Sequence, residues 1–189
     1  MTKREVDRLS KALEVVDRDA FCVDDRGDRI PQTSAEHIVA DMLRLVDAQP
    51  GNHVLEIGTG SGYSTALLAE LVEIDGSVCS VDVDPELADR TSRLLAPYSH
   101  VHLLTADGSG GWLQYAPYDR VVAWCSVTHI PEAWSRQTRP DGILVIPLRG
   151  GARPRIVRYI RHADGHLEHD GEIEGAFIPL TASPFHPWE

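Results

Sequence analysis

Five short apolar runs, HVLEIG (53–58), SVCSVD (77–82), VHLLTA (101–106), RVVAW (120–124) and ILVIPL (143–148), set the limits on how this chain can fold. The segments between the first three, YSTALLAELV (63–72) and PELADRTSRLL (85–95), carry apolar residues at helical spacing, and Pro85 suits a first helical turn. A short helix is expected near 131–138. Strands that are apolar on both faces and alternate with helices imply a doubly wound α/β sheet, mostly parallel, with helices on both sides. After Gly150-Gly151 the pattern changes to RIVRYIRH, an Ala163-Asp164-Gly165 turn and EIEGAFIPL, which reads as antiparallel strands added at the sheet edge. Before the sheet, Val6, Leu9, Leu13 and Val16 give an amphipathic helix over 4–18, followed by a polar loop, AFCVDDRGDRIPQ. A second helix is expected from the T-x-x-E box at Thr33-Ser34-Ala35-Glu36 to about Val46, with Thr33 as its cap and Ser34 inside its first turn.

The chain has 189 residues, about one domain's worth at roughly 150 residues per domain. Its net charge of −11 argues against a nucleic-acid coat or a binder of anionic membranes, either of which needs a basic face. No apolar run approaches the ~20 residues of a membrane span, and the charged start lacks a secretory h-region. A cytoplasmic monomer with no nucleic-acid or membrane partner is the expectation. Cys22, Cys79 and Cys125 are an odd number with no C-x-x-C spacing, so buried inert thiols are expected. His162, His166 and His169 flank the Asp-Gly turn and read as exposed hairpin residues, so no metal is expected. Trp112, Trp124 and Trp134 read as packing, and Arg149, Arg153 and Arg155 as a solvated edge.

The chemistry lies in Glu56-Ile57-Gly58-Thr59-Gly60-Ser61-Gly62, between the first run and its helix. Glycines there let backbone approach a ligand, and the helix N-terminus offers unpaired N–H groups. A dinucleotide fingerprint, G-x-G-x-x-G, would need glycine at 63, where Tyr63 stands. Asp82 ends the second run, where a carboxylate can accept hydrogen bonds from ribose hydroxyls. Asp107-Gly108 ends the third, where a short acid can meet an adenine amino group. Asp84, before Pro85, reads as a helix cap.

In this order, E-x-G-x-G-x-G, the second-run acid and the third-run Asp-Gly resemble the class I S-adenosylmethionine-dependent methyltransferases. Gln32-Thr33-Ser34-Ala35-x-His37, VLEIGTGSGYSTALLAELV, DG-x-G-G-W with Ala116-Pro117-Tyr118-Asp119, IPEAW-x-x-Q, GILVIPL and FIPLT make the chain similar, more narrowly, to the protein-L-isoaspartate O-methyltransferase family. The resemblance covers residues 32–181, read as a Rossmann-like methyltransferase domain between a short N-terminal helix and loop (1–31) and an irregular tail (182–189). It implies transfer of methyl from S-adenosylmethionine to a carboxylate of a protein or peptide, leaving S-adenosylhomocysteine. It assigns the donor to Glu56, Gly58, Thr59, Gly60, Ser61, Gly62 and Tyr63 of the turn, Asp82 with Val83, and Asp107 with Gly108. Ser34 and Thr33 become the residues that orient the acceptor, and His37, Ser126, Ile178, Pro179 and Leu180 its further contacts.

The chain departs from the family in its N-terminal region, where only 31 residues precede Gln32, Glu36 stands for a proline and Val39 for a second histidine. Trp124-Cys125-Ser126-Val127-Thr128-His129 replaces a commonly alanine-rich stretch. These departures imply a more open acceptor site. They are similar to a branch that methylates an aspartate of ribosomally made peptides, where the ester collapses to an aspartimide.

Overall fold

The structure, a computed structural model, describes residues 3–31 and 33–184. Gln32 and the tail beyond Pro184 lie outside the described residues, as does the side chain of Val6. Three helices come first, α1 (Lys3–Val15), α2 (Arg18–Cys22) and α3 (Glu36–Val46). The alternating part follows: β1 (His53–Ile57), α4 (Tyr63–Val72), β2 (Ser77–Asp82), α5 (Pro85–Leu95), β3 (Val101–Thr105), β4 (Tyr118–Ala123), α6 (Glu132–Gln137) and β5 (Thr138–Leu148). The chain then adds β6 (Arg155–Arg161) and β7 (Leu167–Glu174).

The seven strands form one sheet in the order β3-β2-β1-β4-β5-β6-β7, parallel through β5 and antiparallel at β6 and β7. This is the expected doubly wound α/β architecture. The chain moves outward from β1 through α4 to β2 and α5 to β3. It then returns to the other side of β1 and moves outward again through β4, α6 and β5. Strand order therefore reverses between β1 and β4, and the loops at their carboxyl ends part to leave a crevice.

Two apolar layers sandwich the sheet. One holds Leu9, Phe21, Val39, Met42, Tyr63, Leu67 and Val122, and so unites α1, α2, α3 and α4 over one face. The other places Trp134 of α6 against Leu55, Val121 and Leu144. Strands β1 and β4 are the most enclosed, and their charged residues, Glu56, Asp119 and Arg120, are buried with the apolar ones. The three cysteines are free and buried, and burial pushes the Cys79 and Cys125 thiols up to about 12. The hairpin histidines have carboxylate neighbours, His162 at 2.6 Å from Glu168 and His169 at 3.1 Å from Glu172. Arg153 and Arg155 pair with Glu174 and Glu172. Among the described residues no helix is long and apolar enough to cross a membrane.

Four local expectations are corrected. The first helix stops at Val15, and Asp17 caps a separate α2 by accepting from the backbone of Asp19 and Ala20. Part of the expected loop is thus helical. Helix α3 starts at Glu36 with Ala35 as its cap residue and no side-chain cap bond, so Ser34 precedes the helix instead of lying in its first turn. The Thr33 hydroxyl instead donates to the Ile30 carbonyl at 2.6 Å, because the chain bends back there before the helix starts. Finally, β7 ends at Glu174, and the FIPL segment leaves the sheet edge to pair with the segment that follows β4 through a Ser126–Pro179 bridge.

Candidate active site

A cavity of about 580 Å³ opens at the reversal point, a size that suits a nucleoside-sized ligand. Its floor is the glycine turn. Gly62, at φ +85°, ends the turn and starts α4, and a Cβ there would meet Thr91 Cγ2 at 2.8 Å. Gly60, at φ +50°, has nothing within 4 Å of where a Cβ would be, which leaves its backbone open to a ligand.

Glu56 lies beneath the turn, fully buried, and does not line the cavity. Its Oε1 accepts from Ser64 Oγ at 2.6 Å and Trp124 Nε1 at 2.7 Å, and its Oε2 from Thr65 Oγ1 at 2.5 Å and Ser80 Oγ at 2.6 Å. Ser80 spends its proton on Glu56, so Thr59 Oγ1 donates to Ser80 Oγ at 2.6 Å. One carboxylate thereby ties β1, β2, α4, the turn and the residue after β4 together. Burial pushes this carboxyl above its ordinary 4.5, while the four donors pull the other way. Its part is to position the turn.

Asp82 ends β2 facing the same cavity. Its Oδ2 accepts from Gly60 N at 2.7 Å and its Oδ1 from Asp84 N at 3.0 Å, so the carboxylate orients the turn. Each oxygen keeps a further acceptor site for a vicinal diol. Asp84 caps α5 by accepting from Glu86 N at 2.8 Å, as its place before Pro85 predicts. Asp107 does not line the cavity; it is exposed and accepts from Ser109 N at 2.8 Å. Gly108 beside it does line the cavity, close under Ile57.

A further part of the wall comes from the segment before α3. Thr33 and Ser34 line it, and among the described residues Ser34 Oγ has no partner. The Ser34 carbonyl accepts from Arg18 Nη2 at 3.0 Å, and the Arg18 guanidinium lies 5.7 Å above the Tyr63 ring. Arg18 therefore joins the segment before α3 to the first turn of α4. Replacing it with alanine is expected to raise the acceptor KM about tenfold with donor affinity within twofold, measured by steady-state kinetics and donor titration. His37, in the first turn of α3, is exposed and outside the lining.

Residues 176–181 form a strap across the cavity, and Ile178, Pro179 and Leu180 line it. Ser126 holds the strap without touching the cavity: its Oγ donates to the carbonyls of Phe177 (2.9 Å) and Ile178 (3.2 Å). Its backbone N–H donates to Ile178 O at 2.7 Å, and its carbonyl accepts from Leu180 N at 2.9 Å. Trp124 and Phe177 also line the wall, with ring centroids 6.2 Å apart. Sequence reasoning read Trp124 as packing and passed over Phe177, and it passed over Arg18 because the motif gives no sign that α2 reaches Ser34.

Of the residues expected to act, the structure gathers Thr33, Ser34, Gly58, Thr59, Gly60, Ser61 and Tyr63 around one space. Asp82, Val83, Gly108 and the strap's Ile178, Pro179 and Leu180 border it too. Glu56, Gly62, Asp107, His37 and Ser126 stand outside it. The open Gly60 backbone and the free acceptor sites on Asp82 fit S-adenosylmethionine.

The family model for protein-L-isoaspartate(D-aspartate) O-methyltransferase matches residues 2–184. The protein-L-isoaspartate O-methyltransferase of Methanopyrus kandleri is 36% identical over 187 residues, covering 92% of this chain and 83% of the relative. That of Ignicoccus hospitalis is 42% identical over 150 residues, covering 78% of this chain and 71% of the relative. A solved protein-L-isoaspartate O-methyltransferase superposes with a TM-score of 0.82 at 23% identity, over 93% of this chain and 61% of that longer one. A putative enzyme of that name from Plasmodium falciparum, solved with S-adenosyl-L-homocysteine, superposes with a TM-score of 0.79 at 17% identity, over 94% of this chain and 91% of that one. The structures speak for the fold and the sequences for kinship: this chain belongs to the protein-L-isoaspartate(D-aspartate) O-methyltransferase family, whose members use S-adenosylmethionine.

Proposed function

We propose that the protein esterifies an isoaspartyl carboxylate in a protein or peptide substrate, using S-adenosylmethionine as methyl donor. The observation that carries the reading is one cavity lined both by the Asp82 carboxylate at the end of β2 and by Ser34, whose Oγ has no partner among the described residues. The family relatives that carry the isoaspartyl name support the choice of acceptor.

The chemistry asks little of the side chains beyond placement. The donor, when bound, supplies a methyl already activated by its sulfonium. The acceptor carboxylate is ionised at neutral pH and needs no base. Ser34 Oγ donates a hydrogen bond to one acceptor oxygen and so directs the other along the line of transfer. The strap and Trp124 keep water from the carboxylate, which raises its nucleophilicity. The resulting ester carries a better leaving group than the free acid, so the following backbone nitrogen closes a succinimide without help from the enzyme.

The test uses labelled donor with two otherwise identical peptides, one containing isoaspartate and one aspartate. Label in the isoaspartyl peptide alone is the expected result. Label in the aspartyl peptide alone would overturn the reading and favour dedicated peptide tailoring. In the same assay Ser34→Ala should lower kcat by roughly 10- to 100-fold, while calorimetry finds donor affinity within twofold of wild type. Unchanged kcat would remove Ser34 from its role.

A further inference from the structure

We propose that Arg90 is a positioning residue for the acceptor: it fixes α2 to α5, and through α2 it sets where Ser34 stands in the cavity. The inference rests on the acceptor role given to Ser34 above. Helix α2 has five residues, too few to satisfy its own ends, so its last carbonyls need donors from outside. Val23 N–H donates to Asp19 O at 3.0 Å, and Ile30 N–H to Cys22 O at 2.9 Å. Three further carbonyls fall to one side chain of α5. Arg90 Nη1 donates to Phe21 O, and its Nη2 to Ala20 O and Val23 O, each at 2.7 Å. Among the described residues Arg90 pairs with no carboxylate. Its charge is spent on the carbonyl end of α2, where the helix dipole favours a cation.

The first residue of α2 is Arg18, whose Nη2 donates to the Ser34 carbonyl at 3.0 Å. Between these ends Val23 bridges to Arg29, and the chain turns back through Ile30 toward Ser34. Residues 18–34 thus form a closed unit, and Arg90 ties its helix to α5. The same helix touches the glycine turn, with Cys22 Sγ 3.8 Å from Ser61 Oγ and Phe21 Cδ1 3.4 Å from where a Cβ on Gly62 would be. The turn has supports of its own, however. Gly60 N–H is held by Asp82, and the Gly60 carbonyl accepts from Thr91 Oγ1 at 3.1 Å. Loosening α2 should therefore free Ser34 while the turn and Asp82 stay in place. The cost falls on acceptor binding, since the loosened segment has to be ordered each time an acceptor enters.

The test measures acceptor KM and kcat with the isoaspartyl peptide, and the dissociation constant of S-adenosylhomocysteine by calorimetry. It compares wild type, R90M, R90K, R18A and R18A/R90M. Methionine keeps an apolar stem and offers no donor. The expected result for R90M is an acceptor KM raised roughly 5- to 20-fold, with kcat and S-adenosylhomocysteine affinity within about threefold of wild type. R90K, which keeps the charge but lacks the planar fork, should recover part of the loss. Because Arg90 acts through Arg18, the double variant should stay within about twofold of the worse single one. KM unmoved in R90M, losses that multiply in the double variant, or R90K no better than R90M would each overturn the inference. Equal losses in acceptor KM and S-adenosylhomocysteine affinity would also overturn it, by reducing Arg90 to a support of the fold. Should R90M not fold, R90K alone and combined with R18A carries the same comparison. Wild type that binds S-adenosylhomocysteine but leaves the isoaspartyl peptide unlabelled would overturn the proposed activity and the inference together. Wild type that labels the peptide, with KM unmoved in R90M, would overturn the inference alone.

Discussion

Asp82→Ala should abolish useful donor binding, lowering affinity on the order of a hundredfold or more. The size follows from the double duty of the carboxylate. Charge-assisted hydrogen bonds are each worth roughly 1.5–3 kcal/mol, and a vicinal diol can take up two of them. Alanine also releases the Gly60 and Asp84 amides, which Asp82 now holds at 2.7 and 3.0 Å, so the turn would have to be ordered at the expense of binding. Asparagine should recover little, since its NH₂ cannot accept from an amide. Calorimetric titration with S-adenosylhomocysteine checks this, and the neutral product is the better probe because it separates ribose recognition from charge recognition. A loss of less than threefold would show that the ribose is held elsewhere.

The largest effect on stability is expected at Glu56. Replacing it with alanine leaves four buried donors without an acceptor and opens a void between β1, β2 and α4. Removing one member of so enclosed a charged network costs about 3–5 kcal/mol. At ordinary m-values that shifts the urea midpoint by about 2 M. Glutamine should be milder, at about 1–2 kcal/mol. Its carbonyl can serve Trp124, which can only donate, while the hydroxyls of Thr65 and Ser80 can turn to accept from its amide. The variants also separate the pH dependence. Burial sets the Glu56 carboxyl above its ordinary 4.5, so the folded chain holds this proton more tightly than the unfolded chain. The contribution of this group to stability therefore declines as pH rises from that ordinary value through the raised one. Glutamine should remove this slope. A midpoint unmoved in Glu56→Ala would mean that the network does not support the fold.

Neighbouring motif residues thus do different work. Glu56 and Asp82 are both acids near the glycine turn, yet one is sealed below it and the other faces the cavity. Strand alternation decides this: Glu56 is the fourth residue of β1 and points into the layer with α4, whereas Asp82 is the last of β2 and its side chain emerges at the sheet's carboxyl edge. Ser126 and Ile178 differ in the same way, the hydroxyl holding the strap and the side chain of Ile178 bordering the cavity.

The alternation of apolar runs and helices, the reversal-point turn and Asp82 were legible in the sequence, because period, glycine and strand ends are local properties. Helices α4 and α5 begin and end where the pattern placed them, since Gly62 and Pro85 mark their starts. Thr33 was not legible: T-x-x-E reads as a cap, but the backbone bend that gives its hydroxyl to Ile30 depends on how residues 30–34 pack against the rest of the chain. Nor was the end of the sheet, since EIEGAFIPL keeps a strand-like composition past Glu174 and leaves only because Ser126 offers partners across 52 residues. Which chemistry-bearing groups face one another, with Arg18 on Ser34, Trp124 on Glu56 and the strap over the turn, is a long-range matter. Those meetings are fixed by side-chain directions on elements distant in sequence, and only the folded chain decides them.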